Sequence, residues 1–391
     1  MLHKEKLESY IQYCCEIAKL GQWKTKTNPI VGAVLVNKTG DIVAEGYHKE
    51  YGGLHAEREA ILDAKNKKIA DFSALTLVVT LEPCNHYGKQ PPCTTAIIEA
   101  GIKNVIVGIE DPNPQVSGTG IKRLKEAGIN VEVGIGVKNC TDLVADYIYY
   151  IKNQMPYITL KVAQSIDGFI ARKSNDAKEK YLTSIQTRRE VHKIRSYTSV
   201  LVGVNTIIAD DPILDCRLLD ENISPQNIII LDSNLRTPPQ SKVLNPKAIE
   251  NITTAGSITE NRNILIAYNE NLDESLNEIK LKKEKLEEKG AILIKSAAQN
   301  NRIDLEKLLF ILATEHKIVH ILVEGGAEVF SSFINARLVN KLIIHTAPII
   351  LHEGVKAFPN VEPAIFNDII NEFNIETKLC GKDIISVFCR R

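Results

Sequence analysis

Alternation does most to narrow what this chain can fold into. Short β-branched and aliphatic runs recur along it, among them "LTLVVT", "KNVIVGI", "NVEVGI", "SVLVGVNT", "NIIILDS", "NILIAY" and "AILIKS". Stretches with apolar side chains at helical spacing separate many of them. Strands alternating with helices of about ten residues predict an α/β architecture with mostly parallel central strands. The pattern comes in two series. The first opens with a helix carrying Leu7, Ile11, Cys14, Cys15 and Ala18 on one face. It continues through a hairpin, "NPIVGAVLVNKTGDIVAEGYH", which turns around Lys38 to Asp41, and a helix near "HAEREAILDA". "CTDLVADYIYYIKNQM" reads as one connecting helix closed by Pro156. The second series runs from "YITLKVAQSIDG" to "ETKLCGKDIISVFCRR", two alternating runs turned at Gly381. The boundary is expected near residue 150, giving domains 1–148 and 149–391.

Charge and cysteine usage exclude some roles. With 48 basic and 48 acidic residues and no basic block, the chain lacks the broad cationic face that nucleic-acid binding needs, and a small-molecule partner is expected. No run of about 18 apolar residues predicts a membrane span. Eight cysteines in 391 residues are too sparse for a disulfide scaffold, and "MLHKEKLESY" has no signal-like apolar stretch, so a reducing cytoplasm is expected. "NLDESLNEIKLKKEKLEEKG" predicts a solvated surface helix.

"TLEPCNHYGKQPPC" concentrates the chemistry. Together with "LHAEREA" it offers one imidazole and two thiols, His55, Cys84 and Cys93, with Glu57 two residues beyond the histidine. Zinc prefers these donors, and a catalytic site keeps three protein ligands and an open fourth position. Cys93 is expected in the first turn of a helix, whose positive end favours a thiolate. His-x-Glu followed by Pro-Cys and a second Cys is the mark of zinc deaminases, although here eight residues rather than two separate the thiols. In such a site Glu57 takes a proton from water and passes it to a ring nitrogen and the departing amine. The competing readings are a closed structural zinc with His86 or His48 as fourth ligand, a zinc-stapled binding protein without turnover, and a deaminase of bases within polynucleotides. A Cys84–Cys93 disulfide is disfavoured by the expected compartment.

With "NPIVGAVLV", "HAE", "TLEPCNHYGKQPPC" and "DPNPQVSGTG" in the first half, and "KVAQSIDG", "VLVGVNTIIADDPIL", "LDS" and "VEGG" in the second, the chain resembles the bifunctional riboflavin-biosynthesis deaminase-reductase family over nearly its whole length. That resemblance implies a cytidine-deaminase-like three-layer domain followed by a dihydrofolate-reductase-like α/β domain. It implies zinc on His55, Cys84 and Cys93 with Glu57 as proton shuttle, loss of ammonia from a diaminopyrimidinone carrying a ribosylamino phosphate, and NADPH reduction of the ribosyl chain. NADPH is expected near Ala163, Tyr181, Thr206, Asp210 and Ser233 and along Gly326, Ala327, Glu328, Val329, Phe330, Ser331 and Ser332. Substrate contacts are expected at Glu179, Arg195, Leu214, Arg217 and Glu324, and a homo-oligomer follows from the same precedent. "HILVEGGAEVF" gives this physical sense, since a strand entering a helix through two glycines lets backbone approach a phosphate. Arg195 and Arg217 suit a substrate phosphate because a guanidinium binds it bidentately. Lys161 stands open between a place at the reacting sugar and an ordinary strand lysine. The chain departs from the family at Thr27 and Leu54, where Pro is usual, at Tyr181, where Trp is common, and at Asn205 and His352, where small residues are frequent.

Overall fold

The computed structural model describes residues 4–22, 24–172, 181–218, 227–245, 262–299 and 301–391. The chain divides into two compact units, Met1–Met155 and Pro156–Arg391. Among the described residues no helix is long and apolar enough to cross a membrane.

In the first unit, five strands are ordered Ile42–Tyr47, Gly32–Val36, Thr76–Leu81, Asn104–Ile109 and Asn130–Val133. Gly32–Val36 runs antiparallel to both its neighbours, and the last three strands are parallel. The strands are apolar on both faces, as a sheet covered twice must be. Val34, Val36, Val78 and Ile106 pack with Leu7, Ile11, Cys14 and Cys140 on one side. The alternate residues Leu35, Leu77, Val79 and Val107 pack with Ala56, Ala60 and Ile97 on the other. Three layers result. The helix Ala56–Asn66 sits close against the sheet edge, where a Cβ at Gly46 would fall 2.3 Å from Ala60 N.

The expected single connecting helix is two, Val137–Leu143 and Ala145–Asn153. Val144 breaks it at φ −116° and ψ 28°. Its side chain is drawn inward against Ala18 and Ile30, off the helical path.

The second unit has nine strands, ordered Ala291–Ser296, Asn263–Asn269, Asn227–Leu231, Ser199–Gly203, His320–Gly325, Tyr157–Ser165, Lys341–Ala347, Asp383–Arg390 and Phe373–Cys380. Pairings are parallel from the first edge through Lys341–Ala347, and the closing hairpin is antiparallel. Every residue of Ser199–Gly203 is buried, as expected of a central strand. "SVLVGVNT", read as one strand, turns after Gly203 into the helix Val204–Asp210. The charged segment forms Asn277–Glu288, of which only Leu286 is buried. Gly203, Ser233 and Glu324 lie at or near the carboxyl ends of parallel strands, where open α/β sheets place ligands.

Candidate functional sites

His55 is the N-cap residue of Ala56–Asn66, and Glu57 lies in that helix's first turn, 3% exposed. Cys84 follows the strand Thr76–Leu81, and Cys93 opens the helix Cys93–Ala100. That helix grips the Cys84 loop, because the Cys93 N–H donates to Cys84 Sγ at 3.3 Å and the Thr94 N–H to the Cys84 carbonyl at 3.2 Å. His55 Nδ1 lies 3.4 Å from both Cys84 Sγ and Cys93 Sγ. Tetrahedral zinc at about 2.1 Å from nitrogen and 2.3 Å from sulfur sets N···S near 3.6 Å, so the donors fit zinc with little adjustment. The three form one group able to hold a metal ion, and no fourth His, Cys, Asp or Glu joins it among the described residues. His48, the alternative ligand, is otherwise engaged: Nδ1 is 3.0 Å from the Leu54 carbonyl and Nε2 3.3 Å from Asn28 Nδ2. His86 is exposed and outside the group.

The electrostatics favour one thiolate, hydrogen-bonded by its partner thiol, beside a buried carboxyl group. The hydrogen bond from Cys93 is the largest cause holding Cys84 down to about 4, while that same bond and burial push Cys93 upward. The hydrogen bond with Cys84 raises His55. Burial, reinforced by the charge of Cys84, pushes Glu57 up to about 7, where a carboxyl both accepts and returns a proton near neutral pH.

Glu82, in the same "TLEPC" run, was not singled out from the sequence. Its carboxylate, 5% exposed, accepts backbone N–H groups from Asp111, Gly118, Gly120 and Ile121 at 3.1, 2.9, 2.8 and 3.2 Å. It thereby ties the "DPNPQVSGTG" loop, and the start of helix Thr119–Glu126, to the segment carrying Cys84. The approach leaves no space at Gly120, whose Cβ would meet the Pro83 carbonyl oxygen at 2.0 Å. Arg58 secures the other end of the cysteine loop through the carbonyls of Pro91 and Pro92 at 3.2 and 3.1 Å. A lone glutamate in a loop gives no sequence signal for such a clamp.

The second unit contains a cavity of about 1230 Å³. Ala163, Tyr181, Thr206, Asp210, Ser233, Gly326, Ala327, Glu328, Val329, Phe330 and Ser332 line it, as do Lys161, Arg195, Leu214, Arg217 and Glu324. Ser331 does not: it is buried within its helix, with Oγ donating to the Ala327 carbonyl at 2.9 Å. Glu179 lies outside the described residues.

Within the cavity wall, Arg195 grips Glu324 through both Nε and NH2, and its NH1 donates to the Asp215 carbonyl at 2.9 Å. Lys161 Nζ stands 3.7 Å from the same carboxylate. Burial opposes ionisation of Glu324, but the charges of Arg195 and Lys161 outweigh it and hold the group at about 2. Burial lowers Lys161 in turn. Arg217 pairs with Asp215 Oδ1, a partner the sequence reading missed, and Tyr181 offers one ring face to Arg188, 4.1 Å from the ring centre. His192 is pushed down to about 4 by burial and by Arg195, and His345 to about 3 by burial and by Lys161.

Two glycines lead from the strand His320–Gly325 into helix Ala327–Asn335: a Cβ at Gly325 would lie 2.9 Å from Thr206 Oγ1, and Gly326 has φ +84°, so packing requires the first and backbone conformation the second.

The comparisons match both halves. The model for the cytidine and deoxycytidylate deaminase zinc-binding region covers residues 4–109, and that for the RibD C-terminal domain covers residues 156–365. The riboflavin biosynthesis protein RibD of Aquifex aeolicus is 39% identical over 89% of this chain and 88% of its own. That of Bacillus amyloliquefaciens is 38% identical over 88% and 85%. Among solved structures, a diaminohydroxyphosphoribosylaminopyrimidine deaminase/5-amino-6-(5-phosphoribosylamino)uracil reductase of Thermotoga maritima superposes with a TM-score of 0.81 at 30% identity, covering 100% of both chains. Acinetobacter baumannii RibD gives the same TM-score, identity and coverage.

Proposed function

The chain belongs to the RibD family of bifunctional riboflavin-biosynthesis enzymes, a zinc-dependent deaminase joined to an NADPH-dependent reductase, and from that premise we propose which residues carry each step and on what substrate. We assign deamination to residues 1–148 and reduction to 149–391. The first substrate is 2,5-diamino-6-(5-phosphoribosylamino)pyrimidin-4-one, which yields 5-amino-6-(5-phosphoribosylamino)uracil and ammonia; reduction then converts the ribosyl chain to ribityl. The protein works in the cytoplasm as a homo-oligomer, without nucleic acid. The observation that carries the deaminase assignment is His55 Nδ1 at 3.4 Å from two thiols, with Glu57 buried in the adjoining helical turn.

His55, Cys84 and Cys93 would hold the zinc. When bound, zinc supplies the Lewis acidity that makes water a nucleophile at neutral pH. Glu57 takes the proton from the attacking water as the C–O bond forms at the amino-bearing ring carbon. It returns protons to the ring nitrogen and the amine, whose C–N bond then breaks. In the second unit, the turn at Gly325 and Gly326 receives the cofactor's phosphates, and Arg217 binds the substrate phosphate. Arg195 and Lys161 keep Glu324 ionised at the cavity wall.

Two variants test this, with ammonia release and NADPH consumption followed together on the full-length protein. Glu57→Gln is expected to retain zinc and lose about 100- to 10,000-fold in ammonia release, while reduction of supplied deaminated intermediate continues. Undiminished ammonia release would remove Glu57 from its role. Arg217→Ala is expected to raise the KM for the phosphorylated intermediate while NADPH still binds; an unchanged KM would refute the phosphate assignment.

A further inference from the structure

Two buried thiols outside the metal centre face one another. Cys15 lies on the helix Lys4–Ala18 and Cys140 on the helix Val137–Leu143, and they are 6% and 1% exposed. Both belong to the apolar layer on one side of the first sheet, while the helices carrying Glu57 and Cys93 pack on the other. None of the steps assigned above uses either sulfur.

Packing brings the pair together. A Cβ at Gly136 would fall 2.6 Å from Ile11 Cγ2, so the two segments approach closely there only because residue 136 is a glycine. Cys15 and Cys140 each stand four residues further on, one helical turn along the same faces. The Cys140 N–H donates to the Gly136 carbonyl at 3.1 Å, which fixes that turn. Cys140 Sγ is pressed onto the sheet, 2.3 Å from where a Cβ on Gly108 would be. Its thiol donates a hydrogen bond to the Cys15 sulfur. Cys14, the adjacent residue, is turned elsewhere and donates to the Val78 carbonyl at 3.6 Å.

The two sulfurs are chemically unequal. The hydrogen bond from Cys140, with Lys19 one turn beyond, holds Cys15 below the ordinary thiol range against the opposing effect of burial. The same bond and burial push Cys140 upward. Cys15 is thus the nucleophile, and Cys140 stands within reach of it. We propose that Cys15 and Cys140 are a peroxide-oxidisable pair that closes to a disulfide and ties the helix Lys4–Ala18 to the helix Val137–Leu143. The Cys15 thiolate attacks one peroxide oxygen, the O–O bond breaks, and hydroxide leaves to take up a proton as water. The Cys140 sulfur then attacks the Cys15 sulfenic acid: the S–S bond forms, the S–O bond breaks, and hydroxide leaves with the thiol proton as a second water. The pair of thiols gives up two electrons and the peroxide accepts them. A dithiol reductant restores both thiols through a mixed disulfide. Residues 15 and 140 bracket most of the first unit, so the closed form restricts its unfolded chain over a long loop.

The test is a thiol map. Full-length, zinc-loaded protein is treated with hydrogen peroxide, quenched with catalase, denatured in an alkylating agent and analysed by peptide mass spectrometry. Two of the eight thiols should escape alkylation, in one cross-linked pair of peptides holding Cys15 and Cys140, and dithiothreitol should return them. Zinc should stay bound, and the denaturant midpoint of the first unit should rise. Cys140→Ala should stop at a Cys15 sulfenic acid that dimedone labels, Cys15→Ala should give neither product, and Cys14→Ala should still cross-link. The wild-type map stands without any variant, so a variant that folds poorly leaves the test intact. Eight thiols still open to alkylation after treatment overturn the proposal. So does a Cys84–Cys93 disulfide with zinc released while Cys15 and Cys140 stay reduced. A cross-link through Cys14 overturns the pairing, and an unmoved midpoint refutes the tie.

Discussion

The metal centre and the reductase cavity are built in opposite ways. The metal centre's three donors lie within 38 residues of one another and on two adjacent helix starts joined by a strand and a loop. The cavity draws on residues from Lys161 to Val355, delivered by the ends of several parallel strands and the segments after them. A site made from neighbouring segments carries its chemistry in local spacing. One made at the ends of a sheet depends on strand order, which spacing does not encode. The first is therefore expected to fail all at once when one donor goes, and the second to lose function by degrees.

The strongest test of that contrast is Cys84→Ala. Removing a ligand should weaken zinc binding by more than the 10- to 100-fold typical of outer partners and abolish ammonia release, while reduction of supplied intermediate persists. Metal analysis with both assays decides it, and loss of reduction as well would break the comparison. Next in size is Glu82→Ala, which removes the acceptor of four N–H groups, two of them fully buried, and should cost the first unit about 3 kcal/mol. Denaturant unfolding monitored by hydrogen exchange in Thr76–Leu81 would measure this, and an unchanged midpoint would mean the clamp contributes nothing.

The smallest effect concerns pH and falls on the second unit. His192 and His345 are held neutral in the fold, at about 4 and about 3, against an ordinary 6.5. The unfolded chain therefore takes up their protons first as pH falls. Their contribution is complete above about pH 6.5 and shrinks as the pH drops toward 4 and 3. Each should forfeit about 2 kcal/mol between pH 6.5 and 5. Hydrogen exchange in Lys341–Ala347 at pH 7.5 and 5, corrected for intrinsic rates, should register the loss, and a flat response would refute it.

Much of the fold was legible because the central strands of both sheets are buried, so they read as apolar runs punctuated by Gly, Pro and Asn. The break at Val144 was not, because the residue that interrupts the helix is a valine called inward by Ala18 and Ile30, a tertiary cause with no local mark. At the metal centre, His55, Cys84, Cys93 and Glu57 stood out as a set of residue types. Glu82 did not, because its partners are main-chain nitrogens more than 25 residues away, which every sequence supplies. In the cavity, Arg195 and Glu324 were each expected to meet a substrate, yet they first meet each other across 129 residues. Asp215 meets Arg217 only two residues along the chain, yet nothing in the residue types marked that pairing beforehand.

The grip of Glu82 on the 111–121 segment is wholly on peptide nitrogens. Side chains along that stretch can consequently be exchanged without slackening the support beneath Cys84, provided residues 118 and 120 stay glycines, the first for its φ of +75° and the second for want of space. The chain can thus revise the surface chemistry of this loop while the ion-holding residues stay in place.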